Sequence, residues 1–206
     1  MTPDATHAAF AQAAAADGVV LERQSYDWLC EQGHIGLERV AKARRDPAIV
    51  TPVKGALTVL ESIYVRLKGD VPVLHAARAN LLLPVDLVHA ASGTVIEVDG
   101  PEHFTSYRHA TLDLYPADAA ITFDLGAYRA LCDRLAPTAD RLARGLPAKG
   151  FGFGGVARER AYHDALRDLG FPAMGHPPVL RIAAEDGDGA AAYARHRERV
   201  RALSAA

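Results

Sequence analysis

Apolar and polar positions alternate along this chain with two periods, and the switch between them outlines its elements. Residues 3–46 read as helical in three segments: an Ala-rich one around Phe10, one carrying Leu21, Tyr26, Trp28 and Leu29, and one carrying Ile35, Leu37 and Val40. Gly18 and Gly33 punctuate them. Thr51-Pro52 predicts a new helix start, and Leu57, Leu60, Ile63, Tyr64 and Leu67 follow at helical spacing until Gly69-Asp70. Residues 71–75 and 81–88 look extended. The turn Ala91-Ser92-Gly93 then makes 84–89 and 94–99 an antiparallel hairpin. Helices are expected over 105–115, 127–144 and 156–169, with Gly170 as the stop of the last. "LPAKGFGFGG" (146–155) is a Gly-rich loop, "PVLRIAA" (178–184) a late strand, and 189–203 a final polar helix.

Two strands break their own pattern. "LLLPVDLV" is apolar except for Asp86, and "VIEVDG" places Glu97 and Asp99 two residues apart, hence on one face of a strand. In a hairpin these acids converge. At about 4 Å and an effective dielectric near 20, each like-charge pair costs roughly 4 kcal/mol. A hard divalent cation held by carboxylate oxygens offsets that cost. The plainer readings are that Asp86 caps a turn, that Asp99-Gly100 is a turn signal, and that Glu61 is a solvated helix residue.

The remaining composition narrows the picture. The chain has 206 residues, half of them hydrophobic, with a formal net charge of −2. That suits one domain with a substantial core. It lacks the strong positive charge of a nucleic-acid coat protein, so any such contact rests on a local patch. Two cysteines, Cys30 and Cys132, lie far apart and read as free thiols in a reducing cytoplasm. The N-terminus carries Asp4 and Asp17 without an early basic cluster, which is not a secretory pattern, and no apolar run reaches the roughly 18 residues of a membrane span. Zinc through His103 and His109 lacks a supporting second pair. The "GFGFGG" stretch lacks the Lys-Ser/Thr ending of a phosphate-binding P-loop and reads as a lid or hinge. Arg141, Arg144, Lys149, Arg158 and Arg160 bracket it and suit a phosphate backbone, or a solvated helix face.

The succession of a helix with Glu61, "LPVDLV" with Asp86 and "VIEVDG" with Glu97 resembles the PD-(D/E)xK nuclease fold. "VIEVDGPEHF" (95–104) is similar to the I-E-V-D-G-x-x-H branch of small restriction-endonuclease-like domains, related to very short patch repair endonucleases, and to the signature of RAP domains, which are linked to RNA. "RERAYHDALRDLGF" (158–171) and "PVLRI" (178–182) fit the continuation. The resemblance covers residues 51–113 and 156–183. It implies an α/β restriction-endonuclease-like core, a mixed sheet flanked by helices, over 51–206, with an N-terminal helical extension (1–50) and a helical insertion at about 114–155. It implies Mg²⁺ (or Mn²⁺) held by Asp86, Glu97 and Glu61, and hydrolysis of phosphodiester bonds in DNA or RNA. Asp99 stands where the motif has its lysine and is expected as an extra ligand or water-orienting group. His103 is the candidate acid or base. Arg158, Arg160, Lys149 and Arg108 are the candidate nucleic-acid contacts. Two rival readings are a non-catalytic, RAP-like nucleic-acid-binding module and a protein-interaction subunit, the latter paired with itself or with an operon-encoded partner.

Overall fold

The computed structural model describes residues 5–204; residues 3 and 4 of the expected first helix lie outside them. The chain is α/β. Its helices are α1 (Ala5–Ala16), α2 (His34–Arg44), α3 (Pro47–Arg66), α4 (Val71–His75), α5 (Ser106–Leu112), α6 (Leu125–Ala143), α7 (Val156–Ala173) and α8 (Gly189–Ala202). The strands β1 (Leu21–Glu22), β2 (Leu87–His89), β3 (Val95–Asp99) and β4 (Leu180–Ala183) form one mixed sheet in the order β1-β2-β3-β4. The first two pairings are antiparallel and β3/β4 is parallel. The expected hairpin is present, with Leu87 opposite Ile96.

Period-two alternation divides the sheet into two faces. Ile96, Val98, Leu180 and Ile182 pack with Phe10, Ala14, Tyr193 and Val200 of α1 and α8. The opposite face of β3 carries Val95, Glu97 and Asp99, and Arg181 lies beside Glu97 on β4. The larger core fills this second side and draws on α2, α3, α5, α6 and α7. Residues of the expected N-terminal extension thus enter both cores: Phe10 the first, Trp28, Leu29 and Leu37 the second.

Several local expectations yield to stronger signals. Residues 21–33 are not helical. Leu21 and Glu22 pair with His89 and Val88, and the Glu31 and Leu83 amides donate to the Leu81 and Leu29 carbonyls. Trp28 and Leu29 are therefore buried from a non-helical segment instead of from a helix face, Trp28 against Phe171 of α7. α3 begins at Pro47, four residues before Thr51, because the Asp46 carboxylate caps it by accepting from the Ala48 amide at 2.9 Å. The segment 71–75 is a helical turn for the same reason: Asp70 accepts from the Val73 amide at 3.1 Å and Pro72 sits in the first turn. α3 is, among the described residues, the one helix long and apolar enough to cross a membrane by length and composition. Its Val53, Leu57, Leu60, Ile63 and Tyr64 are buried, and it packs on α2 and α7.

α7 does not stop at Gly170 but continues to Ala173. The glycine serves close packing: a Cβ there would meet Cζ3 of the buried Trp28 at 2.7 Å. Alanine in mid-helix normally gains up to about 1 kcal/mol over glycine. Gly170→Ala is expected instead to destabilise by about 1–3 kcal/mol, the usual cost of overpacking, as measured by urea unfolding. A gain in stability would show that Trp28 yields freely.

Candidate active site

The hairpin sets two acids against each other. With Leu87 opposite Ile96, Asp86 falls opposite Glu97 on the face turned toward α7. The Asp86 amide donates to Glu97 Oε1 at 3.3 Å, and Asp86 Oδ2 accepts from the Val98 amide at 2.9 Å. Both acids line a cavity of about 980 Å³, with His103, Arg160, His163 and Arg167 among its other walls. α1 contributes His7, whose Nε2 lies 3.3 Å from Asp86 Oδ2. Arg167 Nε stands 3.4 Å from Glu97 Oε1, while its Nη2 donates to the Pro84 carbonyl at 2.7 Å. Arg167 Nε is buried and makes no hydrogen bond, so the guanidinium stands beside Glu97 without bonding to it.

This pair is poorly compensated. Burial raises the Glu97 carboxyl to about 8, with Arg167 opposing and Asp86 reinforcing the rise. Burial also raises Asp86, against the Val98 amide and Arg167. The cavity therefore holds two carboxyl groups that resist simultaneous ionisation unless positive charge joins them.

Asp99 has a different fate. It is absent from the cavity wall and belongs to a buried ion network. Arg181 is its hub: Nη1 donates to Asp99 Oδ1 at 2.6 Å and to Asp164 Oδ1 at 3.2 Å, and Nε donates to Asp168 Oδ1 at 2.7 Å. Arg108 Nη2 donates to Asp168 Oδ2 at 2.6 Å, and the Tyr115 hydroxyl donates to the same oxygen at 2.6 Å. The Tyr128 hydroxyl donates to Asp99 Oδ2 at 3.1 Å. His103 Nδ1 reaches Asp164 Oδ2 at 3.1 Å. Burial works against a charged His103, yet Asp164 and Asp99 hold it up to about 9. Three carboxylates thus face Arg181, Arg108 and a protonated imidazole, and the charges balance. Asp99, His103 and Asp164 also bring ligand atoms within 4.8 Å of one another, so this Asp-His-Asp group could hold a metal ion. Arg181 already bridges both of its carboxylates.

The remaining expectations divide accordingly. Glu61 is not brought to the acids; it lies on the exposed side of α3, because the helix turns Leu57, Leu60, Ile63 and Tyr64 inward. Asp99 is an ion-pair partner of Arg181 and is not part of the cavity wall, although His103, 3.4 Å from it, is. Arg108 is buried in the same network and has no path to a phosphate. Arg160 lines the cavity, with Nη1 donating to the Glu102 carbonyl at 3.1 Å. Arg158 lies outside it, and Lys149 is exposed on the Gly-rich loop. His103 lines the cavity, but its Nδ1 is committed to Asp164.

Sequence reasoning missed His7, Arg167 and Arg181. Arg181 had a signal: it is the lone charge in "PVLRIAA", the same anomaly that singles out Asp86. So did Asp164 and Asp168, two acids four apart on a helix that also carries Tyr162, Leu166 and Leu169. His7 had none, since only the docking of α1 brings it to the hairpin.

Fold and site together define an α/β protein with an under-compensated acidic pair in a large cavity whose walls also carry arginines. No family model, no curated protein and no solved structure matches the chain.

Proposed function

We propose that this chain is a metal-dependent hydrolase of phosphodiester bonds in DNA or RNA, built on a restriction-endonuclease-like core and working in the cytoplasm, where its two buried free cysteines stay reduced. The observation that carries the reading is the Asp86–Glu97 pair on one hairpin at the wall of a 980 Å³ cavity. The order of hairpin, helix α7 and parallel strand β4 supports the core assignment.

The acids fit a divalent ion. Two carboxyl groups whose ionisation burial opposes, with one guanidinium beside Glu97, suit a hard cation bound through oxygen. Mg²⁺ or Mn²⁺ held by Asp86 and Glu97 would polarise a phosphoryl oxygen and lower the pKa of water. The chain's own residues do the rest. Arg167 keeps a fixed positive charge beside Glu97, where the lysine of the motif is lacking. Arg160 offers a second guanidinium to a backbone phosphate. His103, protonated at neutral pH through Asp164, serves as an acid toward a departing oxygen and not as a base. His163, pushed by burial down to about 3, stays neutral in the same wall.

A direct assay tests this. Double-stranded, single-stranded and structured DNA and RNA are offered with Mg²⁺, Mn²⁺ or EDTA. Cleavage with either ion and none in EDTA is expected. Arg160→Ala should weaken substrate binding and reduce the salt slope by about one, as for one lost phosphate contact. Arg108→Ala should leave the slope unchanged and lower stability. The consumption of Asp99 by Arg181 favours a second reading, a nucleic-acid-binding module without turnover. Binding with a steep salt slope but no cleavage of any substrate would select it. Absence of both would leave the protein-interaction reading, with a second copy or an operon-encoded protein as partner.

A further inference from the structure

The acid cavity leaves the Gly-rich loop unused, although backbone hydrogen bonds hold that loop together. Ala148 and Gly152 exchange backbone hydrogen bonds at 3.1 and 2.9 Å, and the Val156 amide donates to the Leu146 carbonyl at 3.3 Å. Gly152 and Gly154 hold φ of +67° and +68°, a backbone that favours glycine. Between them Phe153 is displayed with 78 % of its surface exposed. A hydrogen-bonded turn that presents a bare phenyl ring to water forgoes about 1.5–3 kcal/mol of burial unless something covers the ring.

The surroundings show what would. Phe153 borders a cavity of about 300 Å³ together with Tyr107, Arg144 and Arg158. The Arg158 guanidinium lies over the Tyr107 ring at 5.7 Å, and its Nη2 donates to the Phe153 carbonyl at 2.8 Å. Arg144 is exposed at the rim, and Arg141 and Lys149 are exposed nearby in the chain, none of them in an ion pair among the described residues. Asp140 is the one acid in the lining and accepts from the Ser106 amide at 3.2 Å. An exposed ring, a guanidinium over a second ring and the unpaired Arg144 beside them complement a flat aromatic ligand on an anionic backbone.

We propose that Phe153, Tyr107 and Arg158 form a stacking site for an unpaired nucleobase, with Arg144 taking an adjoining phosphate. This rests on the nucleic-acid reading above and specifies the substrate as one with a single-stranded segment. The first two turns of α7 separate the two sites: Val156, Glu159 and Arg160 face the acid cavity, while Ala157 and Arg158 face the stacking site. A helix is about 10–12 Å across with its side chains, so one strand passing its amino end can engage both.

The test measures anisotropy of a labelled single-stranded oligonucleotide and of a duplex of equal length, with Ca²⁺ in place of Mg²⁺. Phe153→Ala should weaken single-strand binding about 10- to 100-fold and leave duplex binding and the melting temperature unchanged. Phe153→Trp should retain affinity. An oligonucleotide with abasic positions should be bound equally by the wild type and Phe153→Ala. The proposal is overturned if Phe153→Ala binds single strands normally, if Phe153→Leu binds as the wild type does (apolar docking of a protein), or if single strand and duplex suffer equally. A wild type that cleaves and binds while Phe153→Ala matches it removes the stacking site alone. A wild type that neither binds nor cleaves removes the parent reading and this one with it.

Discussion

Arg181→Met is expected to cost about 3–5 kcal/mol of stability, a fall of roughly 6–20 °C in Tm for a chain of this length. Arg181 is fully buried and bonds to three carboxylates, Asp99, Asp164 and Asp168. Methionine keeps much of the volume but leaves those three acids facing only Arg108 and His103. An uncompensated buried charge is far costlier than a missing surface pair. The pH dependence carries a second signature. His103 is held at about 9 by Asp164 and Asp99, above its ordinary 6.5. A group raised on folding contributes stability that is complete below pH 6.5 and lost as pH climbs through about 9. Loss of Arg181 removes a competing cation from the same acids, so the decline between pH 6.5 and 9 should steepen. Calorimetry across that range measures both effects. A loss under about 1 kcal/mol would mean that the acids protonate or hydrate freely, and that the network does not hold β3, β4 and α7 together.

This network explains how much of the molecule was readable in advance. The hairpin, α5, α6, α7, β4 and α8 announce themselves through local period and turn chemistry, which the sequence displays directly. The segment 21–33 does not, because it pairs with residues 81–83 and 88–89 and lays Tyr26 and Trp28 against Phe171 of α7, contacts that no local period encodes. The candidate site divides in the same way. Asp86 and Glu97 were legible as charges in apolar strands joined by a short turn. Asp99 looked equivalent to Glu97 because alternation puts both on one face. What separates them lies two strand positions further along: Glu97 opens onto the cavity, whereas Asp99 meets Arg181 and Tyr128. Arg108 likewise reads as a surface cation on a short helix until Asp168 and Tyr115 are seen to enclose it. Charge type is local information; the partner that neutralises it is not.

Glu97→Gln should abolish metal-dependent cleavage, by about a thousandfold or more, while making the metal-free protein more stable. The two effects share one cause. Burial holds the Glu97 carboxyl at about 8, against an ordinary 4.5. The folded chain then keeps a proton that the unfolded chain releases. In chelator, stability should fall as pH rises from about 4.5 to about 8 and level off above. Glutamine keeps the shape and carries no ionisable proton, so this part of the slope disappears and stability at pH 8 rises by an amount on the order of a few kcal/mol. The residual slope belongs to Asp86, which burial also raises. Divalent ions should reverse the ranking. Mn²⁺ or Mg²⁺ held by the acid pair would stabilise the wild type by mass action and should add little to Glu97→Gln. Thermal melts of both proteins at pH 5 and pH 8, with EDTA and with Mn²⁺, read out the whole pattern beside the cleavage assay. The variant removes the charge that holds the ion without opening a void, so a loss of activity with raised metal-free stability separates a functional acid from a structural one. Equal stabilisation of both proteins by Mn²⁺ would take the ion away from Glu97 and leave the Asp99–His103–Asp164 group as the place to look for it.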